Sequence, residues 1–453
     1  MITITVTKES FLYNIYHMIK AFYPAKEITS KVDEKASHFV KIQFDEGEDI
    51  VYDFFDKKII DKELYRQLVL KTKTTLPWGM LMGIRPTKLV TADILAGMTK
   101  EEIIKKLKNE RFVSEEKALL AYEIAKREEE ILKPLNLIDG YSFYVGIPFC
   151  PSVCSYCSFS SGEYKAHQDV VPGYLNMLCE EIKIKANQMK DQVLDTVYIG
   201  GGTPTALSVK ELEKVLKCVK ENLDLKKTIE FTVEAGRPDS ITKEKLELLK
   251  EYGVGRISIN PQTMRQKTLD LVGRKHTVED TIQRFHEARE LGFDNINMDL
   301  ILGLPGETIE DVKETMKQIE TLNPDSLTVH TLAIKRSSRL SKVETPAKII
   351  EEMVDYSYQE ARTMKLLPYY LYRQKNIGGN FENIGYAKVD KAGIYNILIM
   401  EEKQSIIACG VGATTKIKLK SKQVIDGKET NLIRKENVKS IKQYIERGKD
   451  QWL

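Results

Sequence analysis

The chain has 453 residues, with 69 Lys and Arg against 66 Asp and Glu and a formal net charge of +3, so its charge singles out neither nucleic acid nor an anionic membrane surface as a partner. No basic segment leads into an apolar one at Met1-Ile-Thr-Ile, and no apolar run approaches the roughly 20 residues that span a bilayer, so the expectation is a soluble cytoplasmic protein without a membrane span. Six cysteines in a chain of this size are too few for a disulfide framework; three of them cluster, which fits a reducing compartment and metal ligation.

Residues 1–137 are rich in Lys and Glu, contain no cysteine and read as a separate α/β domain. Runs 39–44 and 50–55 alternate apolar and polar residues on either side of Gly47, the pattern of a β-hairpin. Helical periodicity follows at 100–108 and 114–132. Between hairpin and helices, residues 77–88 read either as a contact to the active site or as a structured connection.

From 138 to 340, short β-rich runs alternate with longer helical patterns. The predicted strands are 143–149, 196–200, 228–234, 256–260, 295–302 and 326–332. Among the helices between them, 209–222 shows Leu212, Val215, Leu216 and Val219 at i, i+3, i+4 and i+7. Ser208 with Glu211, and Thr308 with Asp311, form capping boxes at helix starts. Gly253, Gly292 and Asn323-Pro324 fall where the helices should stop. Such alternation implies parallel strands joined by right-handed crossovers. Periodicity alone leaves a partial barrel and an open doubly wound sheet both available, and either places binding loops at the carboxyl ends of the strands. From 341 to 453 the pattern changes to one long helix, 347–365, followed by β-rich runs at 394–400 and 405–408, a C-terminal α+β region expected to cover the substrate.

The first predicted strand runs into Tyr144-Val-Gly-Ile-Pro-Phe-Cys-Pro-Ser-Val-Cys-Ser-Tyr-Cys157. The C-x3-C-x2-C spacing of Cys150, Cys154 and Cys157 gathers three thiolates in one loop, and a [4Fe-4S] cluster held by three cysteines keeps one iron open to a ligand. A closed zinc site would want a fourth Cys or His at pair-like spacing, and no second C-x2-C follows. Cys179, Cys218 and Cys409 read as small buried hydrophobes. After the second strand comes Gly200-Gly-Gly-Thr-Pro204, either a simple turn or a loop whose backbone a ligand can approach. Glu234, Gln262 and Asp299 put polar groups at further strand ends, where each needs a partner: a core hydrogen bond, a helix cap or a ligand.

The cysteine loop resembles that of the radical S-adenosylmethionine (SAM) enzymes, and Ile147-Pro-Phe-Cys150 narrows the resemblance to the oxygen-independent coproporphyrinogen III oxidase group. From about residue 141 onward, and in Pro77-Trp-Gly-Met-Leu-Met-Gly-Ile-Arg-Pro-Thr-Lys88, the chain is similar to the HemZ-type coproporphyrinogen dehydrogenases. The resemblance implies a partial (β/α)6 barrel with a [4Fe-4S] cluster on Cys150, Cys154 and Cys157. It implies that Gly200, Gly201, Gly202 and Thr203 hold the methionine end of SAM, that Glu234 contacts its amino group, and that Gln262 and Asp299 bind the ribose hydroxyls. Arg274 matches the arginine that pairs with the SAM carboxylate, a bond suited to a guanidinium fork, and Tyr156 falls where adenine is contacted. Gly410, Gly412 and Ala413 resemble the segment near a second SAM, although a glycine-rich turn explains the same residues.

The implied reaction is the oxidative decarboxylation of coproporphyrinogen III to protoporphyrinogen IX in anaerobic haem biosynthesis, with a reductant such as flavodoxin or ferredoxin and a monomeric enzyme. Tyr144 and Arg373 are the residues expected on the catalytic side. Arg373, in Tyr369-Tyr-Leu-Tyr-Arg-Gln374, would meet a tetrapyrrole propionate; the plain reading of that run is a β-strand. Two positions depart from the best-known oxidases: Gly146 stands in place of a His and Phe159 in place of an extra Cys. A haem-binding or haem-delivering protein of the HemW type, which also has phenylalanine at the latter position, and a radical SAM enzyme acting on haem itself are the alternatives. His276 and His330 are candidate haem ligands or ordinary core histidines.

Overall fold

The computed structural model of the chain describes all residues except 84, 158–160, 335–337, 341–344, 375–380, 426 and 453, with backbone alone at 428 and 450. The chain divides into two units, Met1–Lys126 with Arg373–Glu382 and Arg127–Tyr372 with Asn383–Leu453.

In the first unit, alternating apolar residues build a four-stranded sheet of order β2-β1-β3-β4, from β1 (Ile2–Val6), β2 (Ile28–Val32), β3 (Val40–Phe44) and β4 (Ile50–Tyr52). The expected hairpin is β3 against β4, antiparallel. β1 runs parallel to β2, joined through the helix Glu9–Phe22. Ile2, Ile4, Val6, Val40 and Ile42 pack on Phe11, Ile15 and Ile19 of that helix and on Ile60, Leu64 and Leu68 of Lys57–Thr72. This gives the unit a core of its own.

The second unit is built on one eleven-stranded sheet. Its strands are β5 (Gly140–Ile147), β6 (Val193–Gly201), β7 (Glu230–Gly236), β8 (Arg256–Ile259), β9 (Ile296–Leu302), β10 (Ser326–Thr331), β11 (Leu367–Tyr372), β12 (Asn383–Ala387), β13 (Ser405–Cys409), β14 (Thr414–Ile425) and β15 (Lys428–Glu436). All six strands expected between residues 143 and 332 are present, paired in parallel and in sequence order from β5 to β10. The helix Val209–Asn222 starts on the Ser208–Glu211 capping box, and Ile309–Leu322 on Thr308–Asp311. Each crossover helix lays an apolar stripe on the sheet, as Leu212, Val215, Leu216 and Val219 do.

The sheet is open. β13 lies parallel to β5, with the β14–β15 hairpin beyond it, and β12 lies antiparallel to β10, followed by β11. Among the described residues no pairing closes β5 onto β10, as suits a partial barrel. Residues 394–400, expected as a β-rich run, are instead the α-helix Ile394–Glu401. The buried carboxylate of Glu230 accepts from the backbone N–H groups of Ile394 (2.5 Å) and Tyr395 (3.3 Å), meeting two of the donors that a helix start leaves open. Tyr395, Leu398 and Glu401 then recur on the buried side at helical spacing. Among the described residues no helix is long and apolar enough to cross a membrane.

Candidate functional site

The carboxyl ends of β5, β6 and β7, the middle of β9 and the loop after β8 carry the polar residues singled out in the sequence. β5 leads into the cysteine loop, where Phe149 and Cys150 pair with Gly162 and Glu163 and the Cys157 N–H donates to the Cys154 carbonyl at 3.1 Å. The loop is tied to the one after β8: Ser155 N donates to the Val272 carbonyl at 3.0 Å and Ser152 Oγ to that of Gly273 at 3.3 Å. Cys154 is buried, whereas Cys150 and Cys157 are half-buried.

The glycine loop bonds directly to the cysteine loop. Gly202 N donates to the Ile147 carbonyl and Thr203 N to that of Phe149, each at 2.7 Å. A Cβ on Gly202 would stand 2.6 Å from the Phe149 oxygen, so a side chain there would force the loops apart. Thr203 Oγ1 also donates to the Cys150 sulfur at 3.6 Å.

Glu234, at the end of β7, faces this loop. Its Oε1 accepts from the Tyr198 hydroxyl and its Oε2 from Gly201 N at 3.2 Å, and a Cβ on Gly200 would come within 2.7 Å of Oε2. Burial pushes the Glu234 carboxyl up to about 7, with the Tyr198 bond opposing and the charge of Asp299 adding. Tyr198 stacks on Tyr395 at 4.4 Å, and Tyr144 lies 6.3 Å from both rings at shallow angles. Tyr144 therefore belongs to an aromatic stack beside Glu234, its hydroxyl held above its ordinary range by burial and by that carboxylate.

Gln262 is held at φ +69, a conformation that a side chain adopts only at some cost. Its backbone bridges to Leu300: Gln262 N donates to the Asp299 carbonyl and the Gln262 carbonyl accepts from Ile301 N, both at 2.9 Å. The buried Gln262 Oε1 and Asn260 Oδ1 have no hydrogen-bond partner among the described residues. Burial opposes ionisation of Asp299, but His330 near one oxygen (3.9 Å) and Asn297 Nδ2 on the other (2.7 Å) hold it below the usual carboxylate range. His330 also meets the Tyr372 hydroxyl at 3.2 Å, an ordinary hydrogen-bonding position.

Arg274 is buried. It donates through Nη1 to the Tyr156 hydroxyl at 2.9 Å and through Nη2 to the Asn260 carbonyl at 2.5 Å, while its Nε lacks a partner among the described residues. His276 is fully buried; burial, then the Arg274 charge, pushes it down to about 3, so it stays neutral.

This geometry fits the implied groups. Three thiols of one loop, one of them under a hydroxyl and one buried, suit a cubane in which three of the four irons each take a thiolate and the fourth stays open to another ligand. Among the described residues no three His, Cys, Asp or Glu side chains converge as they would around a single metal ion. Beside the loop, the unpartnered acceptor of Gln262, the Nε of Arg274 that lacks a partner among the described residues and the carboxylate of Glu234 suit a ligand with hydroxyl, carboxylate and amino groups.

Gly410 opens the turn between β13 and β14 at φ +106, where a Cβ would meet the Gly146 carbonyl at 2.7 Å. Its N–H donates to the buried Glu181 at 2.8 Å; Gly412 N donates to the Val438 carbonyl at 2.8 Å, and Ala413 N to that of Gly410 at 3.2 Å. Gly146 itself lies against β13, where a Cβ would stand 3.2 Å from the Cys409 carbonyl. Phe159 lies outside the described residues. Arg373 groups with the first unit, where its guanidinium donates to the Leu81 carbonyl and lies 5.9 Å over the Trp78 ring. Trp78, from the 77–88 segment, is fully buried and donates to Glu382 at 2.6 Å. Sequence reading passed over Tyr198, Asn260 and Arg237; the last donates to the Cys154 sulfur at 3.3 Å.

The family model of the Radical SAM superfamily matches residues 144–319. Over 415 residues the chain is 40% identical to the oxygen-independent coproporphyrinogen-III oxidase-like protein HemZ of Bacillus subtilis, an alignment that covers 87% of this chain and 81% of that protein. It is 38% identical over 198 residues to the heme chaperone HemW of Bacillus subtilis, covering 43% of this chain and 51% of that one, about half the relative's length. The fold resembles that of the coproporphyrinogen III oxidase HemN from Escherichia coli, a radical SAM enzyme, with a TM-score of 0.54 and 22% identity across 72% of this chain and 73% of the other.

Proposed function

We propose, from the premise that the chain belongs to the radical SAM superfamily and within it to the HemZ-like relatives of the oxygen-independent coproporphyrinogen III oxidases, that it decarboxylates coproporphyrinogen III to protoporphyrinogen IX. The observation that carries the reading is the joint construction of the cysteine loop and the Gly200–Gly202 loop, bonded backbone to backbone with Glu234 facing them. When bound, the cluster and SAM would supply the abstracting radical; each of two propionates would give it a hydrogen atom, lose carbon dioxide and pass one electron to an external electron acceptor, leaving a vinyl group.

The protein's part is placement. Cys150, Cys154 and Cys157 hold the cluster. Glu234 accepts from the SAM amino group, Arg274 meets the carboxylate, Gln262 and Asp299 take the ribose hydroxyls, and Tyr156, already fixed by Arg274, faces adenine. Asp299, held ionised, is a strong acceptor for a hydroxyl. Gly410, Gly412 and Ala413 are assigned to a second SAM and Tyr144 to the aromatic wall beside Glu234. A flavodoxin or ferredoxin is the reductant and the enzyme acts as a monomer.

The test is anaerobic incubation of the iron-reconstituted chain with SAM, a reductant and coproporphyrinogen III, following 5′-deoxyadenosine and tetrapyrroles by mass spectrometry. Loss of two carboxyl groups per tetrapyrrole is the expected result. The likeness to HemW supports a second reading, haem binding and delivery; stoichiometric haem binding without decarboxylation would replace the first reading by that one. Deoxyadenosine formed without a decarboxylated product would move the reaction to another substrate, haem included.

A further inference from the structure

We infer that Arg237 is a positioning residue for the iron-sulfur cluster, orienting the Cys154 sulfur and making the cluster easier to reduce. The inference rests on the reading of Cys150, Cys154 and Cys157 as the cluster ligands. Arg237 follows β7 and is 4% exposed. Its Nη1 donates to the Cys154 sulfur at 3.3 Å and to the Ser152 carbonyl at 3.1 Å, and its Nη2 to Ser152 Oγ at 3.0 Å. On the other side, Nε and Nη2 donate to the two oxygens of Asp239 at 2.9 and 2.8 Å.

A guanidinium has five N–H donors in a rigid plane, and these contacts engage all of them. Asp239 grips the fork bidentately and thereby sets the plane, so the bond to sulfur is aimed rather than incidental. The sulfur it reaches is the buried one of the three, where a hydrogen bond is least diluted by water. Cys150 receives a bond from the neutral hydroxyl of Thr203 instead, at 3.6 Å. Hydrogen bonds to cluster sulfurs and nearby positive charge favour the reduced, more negative cluster and so raise its potential. Asp239, farther from the sulfur than the guanidinium that separates them, moderates the effect with opposite sign.

This pairing gives the test two directions. The full chain is reconstituted anaerobically without SAM, and iron content, electron paramagnetic resonance of the reduced cluster and midpoint potential are measured. Arg237→Gln should make reduction roughly tenfold less favourable, about 59 mV lower for a one-electron couple, or lower the iron content of a normally folded chain. Asp239→Asn should shift the potential upward, and Arg237→Lys, which keeps the charge but not the fork, should recover part of the loss. A merely structural tie would not move the two potentials in opposite directions. Full iron occupancy with wild-type potential and resonance lines in Arg237→Gln would overturn the inference. Should that variant not fold, unchanged potentials in both Asp239→Asn and Arg237→Lys would overturn it equally. A wild-type chain that takes up no four-iron cluster would instead refute the underlying ligand assignment.

Discussion

Tyr198 donates its hydroxyl hydrogen to one oxygen of Glu234 while the backbone N–H of Gly201 donates to the other, so this carboxylate is oriented from both sides before any ligand arrives. Burial moves its titration from 4.5 to about 7. In the proposed role of Glu234 as acceptor for the SAM amino group the ionised form is the better acceptor, so affinity for SAM should rise as pH increases through about 7. Glu234→Gln should remove this pH dependence and weaken binding at the alkaline end by about 1.5–3 kcal/mol, the scale of a hydrogen bond to a charged group. Calorimetric titration across the range checks both.

The same shift has a consequence for stability. Between 4.5 and about 7 the unfolded chain has released a proton from Glu234 that the folded chain still holds, so the contribution of this residue to stability falls as pH rises through that window. Glu307, also pushed up to about 7 by burial, adds a fall of the same sign. The expected result in urea unfolding is therefore a difference: stability declines less from pH 5 to 7.5 in Glu234→Gln than in the wild type.

Gly202→Ala should separate the two loops. The new methyl would stand 2.6 Å from the Phe149 oxygen and 3.0 Å from that of Ile147, backbone atoms that cannot swing aside. Overpacking of this kind costs about 1–3 kcal/mol. The variant should unfold at lower urea and bind less iron, since Phe149 leads directly into Cys150. Gly255→Ala is the control, because nothing lies within 4 Å of its added Cβ; its stability should stay within about 0.5 kcal/mol of the wild type.

Arg274→Lys should behave as a loss rather than a conservative change. Lysine carries its three donors on one nitrogen, and that single point cannot span the Tyr156 hydroxyl, the Asn260 carbonyl and a carboxylate as the planar fork does. SAM dissociation should rise by roughly tenfold to a hundredfold. Tyr156→Phe removes one bond and leaves the fork, so its effect should be smaller.

The six parallel strands were legible because each is a short apolar run bounded by helical periodicity, and their polar ends stood out as residues that a core would not accept alone. What the sequence hid depends on contacts between distant residues. Arg237 reaches a cysteine 83 positions away and belongs to no spacing pattern. Tyr198 reads as an inner strand residue, and only the return of β7 beside β6 sets Glu234 against it. The long hairpin of β14 and β15 shows in the sequence only at Lys416-Ile-Lys-Leu-Lys420, which alternates; its outer half is exposed, so the apolar signal fades along it. At Gly146 an added Cβ would stand 3.2 Å from the Cys409 carbonyl of β13, so a side chain there asks its neighbours to give by a few tenths of an ångström.

The misread helix yields the last prediction. Ile-Tyr-Asn-Ile-Leu-Ile-Met is rich in residues that favour strands, and what turns it into Ile394–Glu401 is the carboxylate of Glu230 at its first N–H groups. Glu230 also holds the hydroxyl of Thr232 at 3.1 Å, and its charge acts on the buried Arg256, whose Nη2 donates to Ser326 Oγ at 3.0 Å. Glu230→Ala would strip the helix start of its acceptor and remove the counter-charge of a buried arginine, and should cost about 3 kcal/mol. Because Tyr395 on this helix stacks on Tyr198, which orients Glu234, the near-ultraviolet circular dichroism of the tyrosines should change and SAM affinity should fall along with stability. Glu230→Gln keeps an acceptor without the charge and should fall between. A glutamine variant equal to the wild type in both measurements would show that the helix needs the hydrogen bonds alone, and that Arg256 draws its stability from Ser326 and the tyrosines around it.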